Sequence, residues 1–351
     1  MSEDIKLAYF AGALDGDGSF SLIKGTSSAA ISPLYYPMVQ FANAKKEIVD
    51  LFHAEFGGSL SFRKAYVAKD GFERQPSYQW KLEKSVKCLP FLETIIPYLI
   101  IKKERALFLR DYIINNPFIR GSNRLSDSAL MNRERAYIKM RSFNDNPDVN
   151  GELYSKSKRN DSMDSSFWAY VAGIMDTDGS FSLKKENRTS GGSKSPVYTS
   201  TILLTMTDCR AIYYIMNNFV GGNMMIVKAK TATNGFCYRF SITSRKISIS
   251  FLKRCIPFLT IKKNVAQKLL EFCESFKGSN GRSGISSQEL CVREKYYSEV
   301  RELNKYGVSK FPLIGLKPLP DNAEGNKAQA TKVCSVNVAS EETSKLEDAV
   351  L

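Results

Sequence analysis

The sequence predicts an α+β fold built twice. Three observations carry the prediction: a long-range internal repeat, strand-like alternation recurring in each copy, and a small-residue helix opening both copies. Residues 7–22, LAYFAGALDGDGSFSL, align without a gap on 168–183, WAYVAGIMDTDGSFSL, with 11 identities in 16 at an offset of 161. At an offset of 160, IPYLIIKK (96–103) answers IPFLTIKK (256–263), and RERAYIKMRSFN (133–144) answers REKYYSEVRELN (293–304). Between and after these lie EFGG (55–58) with FVGG (219–222), and GSNR at 121 with GSNG at 278. Landmarks in one order at nearly one offset mean duplicated domains.

Within each copy the pattern reads helix, two strands, helix, two strands, helices. Residues 4–15 have helical apolar spacing and run into a Gly-bearing turn. SFSLIKG, YYPMVQFANA, SLSFRKAYVA and SYQWKLEKS alternate as strands, and Lys46 to Phe56 form a helix closed by Gly57 and Gly58. Leu89 to Ile114 supply at least one more helix. The second copy repeats the order: helix 167–176, strands SFSLKK and VYTSTILLTMT, helix 209–219, strands NMMIVKA and CYRFSIT, then helices from 248 and 264. One face of each sheet should be buried, with Phe20, Leu22, Phe62, Tyr78 and Trp80 on it, and the other polar and basic.

Four segments follow: a first unit 1–145, a linker 146–165, a second unit 166–312, and a mostly disordered tail 313–351, which from Pro318 lacks Phe, Tyr and Trp. The 351 residues carry 50 Lys plus Arg against 36 Asp plus Glu, a net +14, with 43% apolar residues. Such a chain folds, so a highly charged disordered protein is excluded. The net is +5 in the first unit, +11 in residues 146–312 and −2 in the tail, so the basic charge belongs to the folded body. A surplus of this size is expected to meet a polyanion, and placed on two sheet faces it points to nucleic acid.

No run approaches eighteen apolar residues and the amino terminus lacks a basic n-region, so a soluble intracellular protein is expected. Seven cysteines without a CxxC pair read as reduced, mostly buried thiols. His53 is the one histidine, on an amphipathic helix, which argues against histidine-based catalysis or a zinc site.

Chemistry concentrates at the ends of the two opening helices. Small residues Ala8, Ala11 and Gly12, and Ala169, Ala172 and Gly173, permit close backbone approach. If the helices pack in parallel, Asp15-Gly16-Asp17-Gly18 and Asp176-Thr177-Asp178-Gly179 meet at one end, and four carboxylates converge with freed C-terminal carbonyls. Hard oxygen donors of this kind suit Mg²⁺ or a similar divalent ion. An EF-hand is excluded: its twelfth loop position requires Glu, but Thr26 and Asn187 stand there.

LAYFAGALDGDGSF and WAYVAGIMDTDGSF resemble the two signature motifs of a double-motif LAGLIDADG homing endonuclease, and the similarity runs from about residue 4 to about 305. The resemblance implies a monomer of two pseudo-twofold-related αββαββα units. Their signature helices would pack at the domain interface, and two antiparallel four-stranded DNA-binding sheets would lie in successive major grooves of a long asymmetric site. The implied activity is site-specific cleavage of both strands of double-stranded DNA with Mg²⁺ or Mn²⁺. An RNA-binding intron maturase, with intron RNA as partner, is the alternative.

Carried over residue by residue, the resemblance makes Asp17 and Asp178 the catalytic metal ligands, helped by the carbonyls of Gly16 and Thr177. It makes Lys102 and Lys262 the active-site lysines, with Lys103 and Lys263 as the alternatives one residue on. A water-organising polar residue falls near Ala44 in the first unit and Asp208 in the second, with Gln40, Asn43 and Thr207 as neighbours. The expected DNA-contacting side chains, outward by alternation, are Arg63, Gln79, Lys81, Lys184, Lys228, Lys230 and Arg239. Arg133 and Arg141, with Arg293 and Arg301, either reach flanking phosphates or support their domains.

Overall fold

A computed structural model describes residues 2–25, 32–67, 73–117, 125–143, 161–187, 195–228, 236–276 and 284–305. Lys230, Cys334, the tail and most of the expected linker lie outside them. The first half contains α1 (Glu3–Asp17), β1 (Gly18–Gly25), β2 (Leu34–Asn43), α2 (Lys46–Phe56), β3 (Ser59–Arg63), β4 (Tyr66–Val67), β5 (Glu73–Arg74), β6 (Ser77–Glu83), α3 (Ser85–Ile95), α4 (Lys103–Asn115) and α5 (Asp127–Ser142). The second contains α6 (Ser165–Thr177), β7 (Gly179–Glu186), β8 (Val197–Met206), α7 (Arg210–Asn218), β9 (Asn223–Lys228), β10 (Phe236–Ile242), α8 (Arg245–Cys255), α9 (Lys263–Ser275) and α10 (Ser287–Lys305). Each half is the αββαββα unit with two added C-terminal helices, and both fall in one compact unit, Met1–Ser309. No described helix is long and apolar enough to cross a membrane.

The sheets are copies of one another. Both are antiparallel, in the orders β1-β2-β6-β3 and β7-β8-β10-β9. The pairing Phe20↔Val39 and Phe41↔Trp80 puts Phe20, Val39, Phe41 and Trp80 on the face that α2 and α3 cover, and all four are buried. In the second half Phe181, Ile202, Leu204, Phe240 and Ile242 form the matching layer. Gly57 and Gly58 end α2 with φ of 65° and 92°, left-handed values that glycine adopts without a Cβ clash, so the chain turns back at once into β3.

Two strand details depart from expectation. SLSFRKAYVA is broken into β3 and the two-residue β4, which pairs with β5. Phe62 lies on the expected inner face, opposite Tyr78, but is 47% exposed because β3 is the edge strand and carries its side chains past the helices; Leu60 is exposed with it.

The two halves meet along α1 and α6. A Cβ on Gly12 would overlap the carbonyl of Tyr170, and one on Gly173 the carbonyl of Tyr9, so the backbones touch where the sequence places its small residues. The C-terminal helices are held down by a matched clamp. Glu134 of α5 accepts from Lys24 (2.7 Å) and Tyr35, and Glu294 of α10 accepts from Lys185 and Tyr198 (2.5 Å). Arg133 and Arg293 are buried in the same helices and support their domains, the first donating to the Pro117 carbonyl (2.9 Å) and the second to Glu289. Among described cysteines four are buried, Cys237 is half-buried and Cys291 is exposed; the His53 side chain is on the surface of α2.

Candidate active site

α1 and α6 are apolar along nearly their whole length because each packs against its own half and against the other helix. Both end in an acidic turn, and the turns meet: the Asp178 Oδ2 lies 3.2 Å from where a Cβ on Gly16 would stand, with Thr177 closer still. Only two of the four carboxylates face this meeting point. Asp15 and Asp176, expected to converge there too, instead point back into the protein and are 2% exposed.

Their role is to anchor. Asp15 Oδ2 accepts the N–H groups of Ile100 (2.8 Å) and Ile101 (3.0 Å), and its Oδ1 accepts that of Lys102 (2.8 Å). Asp176 does the same for Thr260 (2.7 Å), Ile261 (3.2 Å) and Lys262 (2.8 Å). These N–H groups precede α4 and α9, where no helical carbonyl is available to accept them. Each carboxylate also accepts a phenol from the opposite half, Tyr170 to Asp15 and Tyr9 to Asp176, both at 2.9 Å. Burial raises both carboxyl pKa values and the peptide N–H bonds pull them down. Removing so saturated a buried acceptor strands several donors, so Asp15→Ala is expected to lower stability by about 3 kcal/mol in a denaturant titration. A loss under about 1 kcal/mol would mean the anchor is dispensable.

The anchored turns deliver the lysines. Lys102 Nζ donates to the carbonyls of Leu14 (2.7 Å), Gly16 (2.7 Å) and Gly18 (2.8 Å). Lys262 Nζ donates to those of Met175 (2.9 Å), Thr177 (2.9 Å) and Gly179 (2.7 Å). All three protons of each ammonium are therefore used, and each cation sits at the negative end of a helix dipole. Burial lowers the Lys102 pKa to about 8, against the charges of Asp15, Asp178 and Asp17, and lowers that of Lys262 for the same reason. Lys103 and Lys263, the alternatives, are exposed first residues of α4 and α9.

Asp17 and Asp178 remain at the surface between the lysines. Asp178 reaches water, but protein atoms crowd it, and this desolvation, ahead of the charge of Asp17, raises its carboxyl to about 6. Burial raises Asp17 too, while an N–H of Asn43 opposes the shift. Nδ2 of Asn43 donates to Asp17 Oδ2 at 2.8 Å. Beside them a cleft of about 440 Å³ is lined from both halves by Asn43, Lys45, Asp176, Thr177, Lys262 and Asn264.

A pair of like charges held together is the expected signature of a cation site. Two carboxylates fit a divalent ion that completes its shell with water and phosphate oxygens. The Gly16 and Thr177 carbonyls each already accept a lysine proton, which leaves them one lone pair. Among the described residues no cluster of three or more acidic, His or Cys side chains forms, so the protein's share of such a shell is small.

Solved structures then place the architecture. One I-SmaMI structure, described as bound to an uncleaved DNA target in the presence of calcium ions, is 14% identical, with a TM-score of 0.59 over 85% of this chain and 97% of that one. Another, the I-SmaMI LAGLIDADG homing endonuclease bound to cleaved DNA, is 13% identical, with a TM-score of 0.58 over 85% and 95%. The LAGLIDADG meganuclease I-CpaMI bound to uncleaved DNA gives 13% and 0.56 over 85% and 98%. The chain has the double-motif LAGLIDADG fold. No protein-family model matches it, and no curated protein does.

The LAGLIDADG sheets carry the expected contact residues with two changes. Arg63, Gln79 and Lys81 share the outer face of the first sheet, as Lys184 and Arg239 do in the second. Arg63 stacks over Tyr66 (3.9 Å) and Arg239 Nε donates to Thr205 Oγ1 (3.3 Å). Gln79 faces outward but is only 8% exposed, tucked between Ala42 and Ser61. Lys228 lies on the opposite face: it pairs with Phe236, in step with Ile226 and Tyr238, whereas Arg239 pairs with Met225. Met224, Met225, Ile226 and Val227 are apolar on both faces, so alternation gave no register there. Asp208 is buried and ion-paired with Arg210, and the expected polar role beside an acid falls to Asn43 instead. Tyr9 and Tyr170 carried a usable signal, the same Tyr six residues before the first Asp of both motifs.

Proposed function

We propose that this chain is a monomeric, site-specific double-strand DNA endonuclease that hydrolyses phosphodiesters with divalent metal ions. The observation supporting it most is the meeting of Asp17 and Asp178 between Lys102 and Lys262, at the seam of two basic sheets. A DNA-only or RNA-only binder has no use for such a pair of acids. One chain supplies both halves of the centre, so a monomer suffices.

Asp17 and Asp178 would hold Mg²⁺ or Mn²⁺, which when bound supplies a more acidic water and offsets charge on the scissile phosphate. Lys102 and Lys262 keep the helix ends rigid and offset the negative charge of Asp17 and Asp178. The polar outer sheet faces hold the duplex: Arg63 and Arg239 suit guanine edges and Gln79 adenine, while Lys81 and Lys184 suit phosphates.

The test is incubation with a plasmid carrying the joined sequences that flank the reading frame, in Mg²⁺. Linear product is expected; its complete absence sinks the nuclease reading. DNA affinity is also expected to fall by about 10³-fold between 50 and 200 mM salt, the response of roughly six phosphate contacts. A flat salt response would remove the basic sheets from the argument.

A further inference from the structure

At the edge of the first sheet a cavity of about 250 Å³ lies against β1, from Phe20 to Lys24, and is closed by Arg105 of α4 and by Tyr137 and Arg141 of α5. Lys24 is neutralised there by Glu134 (2.7 Å). The two guanidiniums are not. Arg105 lies over the ring of Phe143 and Arg141 over that of Tyr137, each 5.9 Å from the centroid, and among the described residues neither has a carboxylate or another hydrogen-bonding partner. Burial lowers the pKa of Arg105, so the fold works against its charge, and that charge is felt by Lys102 three residues away. A half-buried cation held on an aromatic face without an anion is a site prepared for one.

The second half reaches the same charge by another route. The repeat sets Val265, which is buried, opposite Arg105, and sets Lys184, exposed on the outer sheet face, opposite Ile23. Arg301 answers Arg141 and again lies over a tyrosine, Tyr297 (5.5 Å). Each half therefore brings two cations to its first strand, one from its last helix and one from either α4 or the strand itself. β1 and β7 are edge strands. A sheet laid in a groove has base edges beneath its middle and the sugar-phosphate backbone past its edges, so cations beside an edge strand meet phosphate.

We infer that Arg105 and Arg141 hold one backbone phosphate of the duplex in this cavity, and that Arg105 does for the first half what Lys184 does for the second. The inference rests on the DNA-binding part of the reading above. A phosphate replaces the anion that both guanidiniums lack, and the aromatic rings beneath them limit the side-chain freedom lost on binding. Because the contact is to the backbone, it adds affinity and fixes the position of the duplex without reading its sequence.

The experiment measures equilibrium binding of the full chain in EDTA, over a range of salt, to a duplex of the joined flanking sequences and to a scrambled duplex of equal length. Arg105→Gln and Arg141→Gln are each expected to weaken binding about tenfold at about 100 mM salt, equally on both duplexes, and to reduce the slope of log affinity against log salt by about 1. Arg141 is exposed, so its variant tests the cavity even if Arg105→Gln fails to fold. Arg135→Gln, on α5 but outside the cavity, is expected to leave the slope unchanged. Adding Ile23→Lys to Arg105→Val writes the second half's pair into the first, and is expected to restore affinity to within about twofold and the slope with it. An unchanged slope in Arg141→Gln overturns the inference, and so does an equal loss of slope in Arg135→Gln, which would make the effect one of net charge. A loss confined to the joined sequence makes the arginines base contacts and overturns it as well. Failure of Ile23→Lys to restore binding overturns the equivalence of Arg105 and Lys184. Binding of neither duplex by the unmodified protein is a separate outcome, which overturns the DNA-binding reading and this inference together.

Discussion

Asp17→Asn and Asp178→Asn proteins are each expected to lose double-strand cleavage by about 10³-fold or more while still binding target DNA. Asparagine keeps the shape of the side chain and removes the charge a divalent ion needs. The same exchanges should not weaken the metal-free fold. Burial raises both carboxyls, and the charge of Asp17 adds to the rise of Asp178, to about 6 against an ordinary 3.8, so the fold disfavours their charged forms. An acid raised on folding holds its proton longer in the native state, and stability then falls as pH rises from about 4 to about 6. Asp178→Asn is therefore expected to remove that decline, and to unfold at an equal or higher temperature than the unmodified protein at pH 7 without metal. A mutant that neither binds DNA nor folds would place these acids in the scaffold.

Gly173→Ala is expected to cost about 3 kcal/mol or more of stability, and Gly12→Ala a similar amount. The added methyl would overlap a carbonyl of the facing helix, Tyr9 for Gly173 and Tyr170 for Gly12, and a backbone cannot rotate away as a side chain does. Forcing α1 and α6 apart would also pull on the phenol-to-carboxylate bonds that cross the same seam. Gly25→Ala is the control. Its Cβ would stand 3.5 Å from the Tyr36 ring, an ordinary contact, and a change under about 1 kcal/mol is expected. If Gly173→Ala unfolds at the same denaturant concentration as the unmodified chain, the helices do not approach as described.

Much of the site was legible because its parts are local or duplicated. The helix ends, the acidic turns and the IPYLIIKK and IPFLTIKK segments could be read twice, and the family resemblance pointed to Lys102 and Lys262 ahead of their neighbours. What failed to show was anything resting on a partner far away in the chain. Asp15 and Asp17 are two residues apart and chemically identical in sequence, yet one anchors peptide N–H groups some 85 positions on and the other accepts the Asn43 amide. Asn43 and Asp208 were separable only once Arg210 was seen to occupy the carboxylate. Lys228 went astray because an apolar strand without alternation leaves its register to the neighbouring strand.

The sequence by itself determined the duplication, the strand and helix order, the close-packing glycines and the basic surplus, since periodicity, backbone preference and charge are properties of short stretches or of the whole composition. The tertiary structure alone decided what Asp15 and Asp176 hold, which tyrosine crosses to which carboxylate, and why the two halves differ. A hydrogen bond between groups 155 or 167 residues apart exists only after the two helices have packed, so no local pattern encodes it.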